Sequence, residues 1–243
     1  MIALLKKEIR TFLSSLIGYV VIAVFLLITG LFMWIFPGDS NVLDMKYSSM
    51  ETLFFISPWV FMFLIPAITM RSFAEEKRNG TIELLFTKPI TDLQIILAKY
   101  FAGLILVIIA LIPTILYYFT IYQLGNPVGN IDSGGTWGSY IGLVFLAGGY
   151  VAIGIFASAI SSNQIVAFLL AALMCFIMFT GFQAIGDFKL LGPLDNFIIK
   201  LGINDHYISL SRGLIDSRDV VYFIALISVF VLFTKTVLQS RKW

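Results

Sequence analysis

The stretch Leu16–Phe36, LIGYVVIAVFLLITGLFMWIF, runs for twenty-one residues without a charge. At about 1.5 Å of rise per residue, a helix of that length crosses the roughly 30 Å hydrocarbon core of a bilayer. Lipid offers nothing to satisfy free backbone N–H and C=O groups, so the run must be helical. Five further runs share its character: Leu53–Met70, Tyr100–Tyr122, Tyr140–Ile160, Gln164–Gly186 and Val220–Leu238. The expected fold is an all-α membrane protein, a single transmembrane domain over residues 1–243 with six spans (16–36, 53–70, 100–122, 140–160, 164–186 and 220–238). Pro58, Pro66 and Pro113 fall inside these runs and are expected to kink or end helices locally.

Composition agrees. The chain is 59% hydrophobic and 12% charged, with a mean hydropathy of +0.96, whereas soluble domains carry about 25% charged residues. A water-soluble fold so poor in charge could not cover its own surface. The net charge of +2 gives no reason to expect a nucleic-acid partner. Cys175, the only cysteine, sits in an apolar run, cannot form an intrachain disulfide and is read as a buried packing residue.

Ahead of the first span, Met1–Ser15 interleaves Ile2, Leu4, Leu5, Ile9, Phe12 and Leu13 with Lys6, Lys7, Glu8 and Arg10. A basic amphipathic stretch of this kind is expected to lie as a helix in the headgroup region, beside anionic lipid. The following run is too long for the apolar region of a cleavable signal peptide. Lysine and arginine counts set the orientation. With the amino terminus inside, Lys6, Lys7, Arg10, Arg71, Lys77, Arg78, Lys88, Lys99, Lys235, Arg241 and Lys242 are cytoplasmic, and Lys46, Lys189, Lys200, Arg212 and Arg218 are outside. Eleven against five places both termini in the cytoplasm.

The connections differ in kind. Gln123–Ser139, with GNPVGN and SGGTWG, reads as a flexible, turn-rich outer loop. Asp187–Asp219 mixes charges with apolar clusters such as Phe197-Ile198-Ile199, and is expected to form helices at the outer face. Ser161-Ser162-Asn163 is so short that spans four and five must pack as an antiparallel hairpin. Span four carries Gly138 and Gly142, Gly148 and Ala152, and Gly154 and Ser158, each pair four residues apart. That spacing lets helices approach closely, within one subunit or across a dimer seam.

The polar island Arg71–Lys99, RSFAEEKRNGTIELLFTKPITDLQIILAK, holds nine of the thirty charged residues. Span two is expected to continue as a helix through Arg71–Lys77, since Ala74-Glu75-Glu76-Lys77-Arg78 are good helix formers. Asn79-Gly80 suits a left-handed cap. Thr81 is expected to cap a second short helix, with Glu83 near its positive end, and Thr91-Asp92 to start span three. A short helix held across the base of two spans is a lever.

The six spans are read as free of Asp, Glu, Lys, Arg and His. This argues against a proton relay or charged ion pathway inside the membrane. No glycine is followed by lysine, so there is no phosphate-cradling loop. His206 is the only histidine and is read as a loop residue rather than a metal ligand. No catalytic, cofactor or metal site is expected, and any work must be powered by another polypeptide.

EEKRNGTIELLFTKPI (residues 75–90) resembles the first cytoplasmic loop of permeases of the ABC-2 (type V) family of ATP-binding-cassette transporters, and the likeness extends through Asp92, Ile95, Ile96 and Lys99. RGLIDSRDVVYF, Arg212–Phe223, resembles that family's approach to the sixth span. Within the family the chain most resembles the gliding-motility-associated permease subunit of Bacteroidetes. The resemblance implies that Gly80, Thr81, Glu83, Leu84 and Leu85 form a coupling helix seated in an ATPase, flanked by Glu75, Glu76, Lys77 and Arg78. It implies bacterial inner-membrane location, cytoplasmic ATPase subunits that carry ATP and Mg, and a second permease subunit. Export or mechanical work on motility or secretion machinery would follow. A non-transporting scaffold and a self-contained channel are the alternatives.

Overall fold

The computed structural model describes residues 1–87, 89–188, 192 and 195–240, without the side chain of Phe86. Lys88, Lys189, Arg241 and Lys242, four of the basic residues counted above, lie outside the described residues. The elements are helices α1 (Ile2–Leu13), α2 (Leu16–Trp34), α3 (Glu51–Thr69), α4 (Ala74–Arg78), α5 (Ile82–Phe86), α6 (Asp92–Leu111), α7 (Ile115–Leu124), α8 (Ser133–Ile160), α9 (Gln164–Phe176), α10 (Phe182–Asp187), α11 (Asp195–Ile199), α12 (Ile203–Ser211) and α13 (Ser217–Gln239). A 3-10 turn, Ile112–Thr114, joins α6 to α7, and a π-helical segment, Ile177–Gly181, joins α9 to α10. No strand occurs among the described residues. Six helical stretches are long and apolar enough to cross a membrane, as expected.

Six crossings bring both ends of the chain to one side, here called the basic end, together with α1, α4 and α5. The second, third and fourth spans are 61–78% buried within the protein, against 22–28% for the first, fifth and sixth. The inner three therefore form the frame, and α8 is its axis, packed on α3, α6, α9, α12 and α13.

The small residues of α8 explain that density. Gly138 abuts the backbone of Gly213, Gly142 meets Leu210 of α12, Gly148 faces Tyr100 and Ile227, and Gly154 faces Thr69. The stripe is used inside the subunit, the first of the two uses its spacing allowed. The same contacts correct the reading of SGGTWG as flexible loop. Residues 133–138 are the first turns of α8, capped by Asp132, whose Oδ1 accepts from Gly135 N–H at 2.9 Å. Glycine is needed at 138, where a Cβ would lie 2.5 Å from Gly213 O, and at Gly213, φ +79°, where a Cβ would run into the Gly135 backbone.

The prolines act unequally. Pro113 replaces helix by a single 3-10 turn, whereas Pro58 and Pro66 lie inside the continuous α3. Pro58 has no N–H to offer the carbonyl of Phe54 one turn back. Tyr207 of α12 donates to that carbonyl at 2.7 Å, which ties the outer helix to the vacancy. As expected, α8 and α9 form a hairpin, α11 and α12 are helices between spans five and six, and Cys175 is buried.

Two further expectations need correction. Span two does not continue unbroken past Met70: residues 70–73 form a turn before α4. The charge-free reading of the spans also fails. Lys235 lies within α13, one turn before its end, and Lys99 is two turns inside α6.

Candidate functional site

The break at 70–73 is stabilised from a distant part of the chain. Ser158, fully buried near the end of α8, accepts from the N–H groups of Phe73 at 3.0 Å and Ala74 at 3.1 Å, and donates to Met70 O at 3.0 Å. One hydroxyl thereby satisfies three backbone groups that a broken helix would leave unpaired. Lys77 adds a second tie, its Nζ donating to the carbonyl of Ala159. The short helix α4 is thus fastened to span four as well as to span two.

Helix α4 then stops as the Asn79-Gly80 pair suggests. Gly80 takes φ +68°. Its N–H bonds Lys77 O at 3.2 Å and the Thr81 N–H reaches Glu76 O at 2.9 Å, the paired bonds of a Schellman motif. Thr81 stands at the N-cap of α5 but makes no side-chain cap; its hydroxyl donates back to Glu76 O at 3.3 Å. The start of α6 is as expected, with a reciprocal capping box between Thr91 and Gln94.

Helix α5 divides its faces. Ile82 and Leu85 pack against the core, while Glu83 is exposed and Leu84 is 64% exposed. The flanking charges divide too. Arg78 is exposed and Glu75 half-buried, whereas Glu76 and Lys77 turn into the protein. Of the nine site residues anticipated from sequence, Arg78, Gly80, Thr81, Glu83 and Leu84 form an exposed surface; Glu75, Glu76, Lys77 and Leu85 form its footing.

Beneath that footing lies a centre not anticipated from sequence. Lys99 is only 2% exposed, and its three donors meet three oxygens: Glu8 Oε1 at 3.0 Å, Glu76 Oε1 at 3.0 Å and Ser72 O at 2.6 Å. The ring of Phe73 lies 5.0 Å from the ammonium. A buried ammonium is tolerable only when paired and fully hydrogen-bonded, and this one is both. Lys7 approaches the two carboxylates at 3.6 and 3.7 Å from the solvent side. The triad joins α1, α4 and α6 at one point. Beside it a cavity of about 230 Å³, lined by Lys7, Glu8, Arg71, Glu75, Glu76 and Lys99, has room for several waters. Arg71 Nε and Glu76 Oε2 are buried there without a protein partner.

The signal for Lys99 was helical phase. Ile95, Ile96, Lys99, Ala102, Gly103 and Leu106 share one buried stripe of α6, and Glu8 shares the inward stripe of α1 with Leu4, Leu5 and Phe12. A charge in register with an apolar stripe calls for an opposite charge facing it.

A family model described as ABC-2 family transporter protein matches residues 2–239. The chain belongs to the ABC-2 transporter family. It is a multi-pass membrane protein, and members of this family are membrane permeases that work with ATPase partners. No curated protein matches the chain. Within the ABC-2 frame, α1 is the amphipathic helix ahead of the first span, and α4–α5 the connection between spans two and three.

At the opposite end a larger cavity of about 640 Å³ opens over Phe54, Trp59 and Tyr207, rimmed by Asp39, Glu51 and Arg212. His206 also lies at that end, and on helix α12 rather than in a loop. No grouping of side chains fit to hold a metal ion occurs among the described residues.

Proposed function

We propose that this ABC-2 protein is the permease subunit of an ATP-binding-cassette complex, with both termini in the cytoplasm and α5 as its coupling helix. The observation that carries the reading is the division of α5. A protruding helix with Glu83 and Leu84 exposed, on a footing of Ile82 and Leu85, offers a partner one charge and one apolar knob. Two ties to span four and an ionic joint to span three and to α1, the helix ahead of span one, lie directly behind it. Force applied at α5 would therefore reach three spans and the helix α1, where the sequence suggested two spans. ATP and Mg would be held by the cytoplasmic ATPase, whose closure supplies that force.

A second permease subunit and lipid are the other partners. Phe55, Trp59 and Phe63, spaced one turn apart on α3, are 42–72% exposed on an otherwise buried span, which suits a covering surface of either kind. The resemblance to gliding-motility permeases supports a place in the bacterial inner membrane and work on motility or secretion machinery. The test is Glu83→Arg with Leu84→Asp. Membrane insertion should be unchanged and co-purification of the ATPase lost. Full ATPase yield with the double variant would remove the coupling role from α5.

A further inference from the structure

We propose that His206 and Asp219 form a one-proton binding site at the end opposite the termini, clamping α12 to the first turn of α13 while the proton is bound. The two ring contacts fix the number of protons held. His206 Nε2 lies 2.9 Å from the carbonyl oxygen of Lys200, which can only accept, so Nε2 carries hydrogen. Nδ1 lies 2.7 Å from Asp219 Oδ1, and that contact also needs a hydrogen. Whether it belongs to the ring or to the carboxyl, the group holds one proton more than a neutral imidazole beside a carboxylate. Remove it, and one of the two contacts becomes lone pair against lone pair.

Burial gives that loss its force. The side chains of His206 and Asp219 are 16% and 10% exposed, so water does not readily replace the lost partner. An Asp219 carboxylate left without a proton donor must turn to solvent, which draws the first turn of α13 away from α12. The ring is stacked on Tyr222, with centroids 3.9 Å apart and planes at 20°. Tyr222 in turn donates to Leu201 O at 2.7 Å. Helix α12 and the turn before it are thus tied to α13 by one bond that depends on the proton and one that does not, while Tyr207 keeps α12 seated on α3.

Among the described residues, no other side chain is hydrogen-bonded or ion-paired to His206 or Asp219. From α13 the groups facing the ring are Asp219 and Tyr222; from the turn before α12, Lys200 presents its carbonyl. Helix α8 and the π segment contain no acidic or basic side chain. Glu51 of α3, Asp205 and Arg212 beside α12, and Arg218 beside Asp219 make no ion pair with either partner. Histidine is the side chain whose charge changes near neutral pH, so the site suits a response to the acidity of the compartment it faces.

The experiment uses the full chain in lipid nanodiscs, reading amide hydrogen exchange of Ser217–Val221 corrected for intrinsic rates between about pH 6 and about pH 9. Protection in the native chain should fall at least about tenfold on alkalinisation. In Asp219→Asn the amide can donate to Nδ1 of a neutral ring, so protection should stay flat. A flat native profile, or an equal fall in Asp219→Asn, overturns the proposal. As a readout independent of the variant, His206 is the only histidine, so ring nitrogen-15 labelling gives the signals of one residue. Its protonation change must coincide with the loss of protection; protection lost while the ring is unchanged also overturns the site.

Discussion

Replacing Lys99 by methionine tests whether the ionic joint holds the basic end together. Methionine nearly matches the lysine stem in volume, so packing is little changed and the charge is what disappears. Glu8 and Glu76 would then face each other, with Lys7, 60% exposed and 3.6–3.7 Å away, as the cation still within ion-pair distance of them among the described residues. Removing one partner from a buried ion pair costs about 3–5 kcal/mol. The two glutamates are 21% and 14% exposed and so retain some water, which points to the lower figure, about 3 kcal/mol. For a chain of this size that lowers the thermal midpoint by about 6–12 °C. The protein supplies its own probe: Cys175 is the sole cysteine and fully buried, so a thiol-reactive dye lights up as the fold opens. Adding Glu8→Gln and Glu76→Gln to Lys99→Met removes the stranded charges and should restore most of the midpoint. A single variant melting within about 2 °C of the native chain would refute the reasoning. So would a triple variant no better than the single.

Ser158→Ala should leave two N–H groups and a carbonyl unpaired at the break after α3, each worth about 1–3 kcal/mol; hydrogen exchange at Phe73 and Ala74 should speed up at least tenfold, about 1.4 kcal/mol, while mid-α6 stays protected. Gly142→Ala puts a methyl 2.7 Å from Leu210 Cβ and should cost about 1–3 kcal/mol of overpacking. Leu210→Gly combined with it removes the Cβ it would strike and should cost less than the sum of the two single losses, and an additive double variant would mean the helices had already moved apart.

The six spans were legible because their signal is local: twenty uncharged residues demand a helix whatever surrounds them. The Asn79-Gly80 stop and the Thr91 start were legible for the same reason, since each cap is settled within four residues. What escaped depended on partners far along the chain. The turn at 70–73 exists because of Ser158, some 85 residues away, and nothing in AEEKR announces it. SGGTWG looked like loop because glycine in isolation favours turns; Gly213, 78 residues on, makes those glycines a packing surface instead. The exposed half of the anticipated surface, from Arg78 to Leu84, could be named from local pattern alone. Its inward half could not. Glu76 is indistinguishable from Glu75 until Lys99 is known to sit behind it.

A greasy stripe lets one helix creep along another, because a leucine is content in any of several neighbouring grooves. An ammonium gripped by three oxygens from three directions has no second resting place nearby. The amphipathic helix α1 is therefore riveted to α6 at Glu8: it can pivot about that point as its ends ride the headgroups, but it cannot slide. Any disturbance of the lipid surface that tilts α1 will be felt at Glu76, one oxygen away.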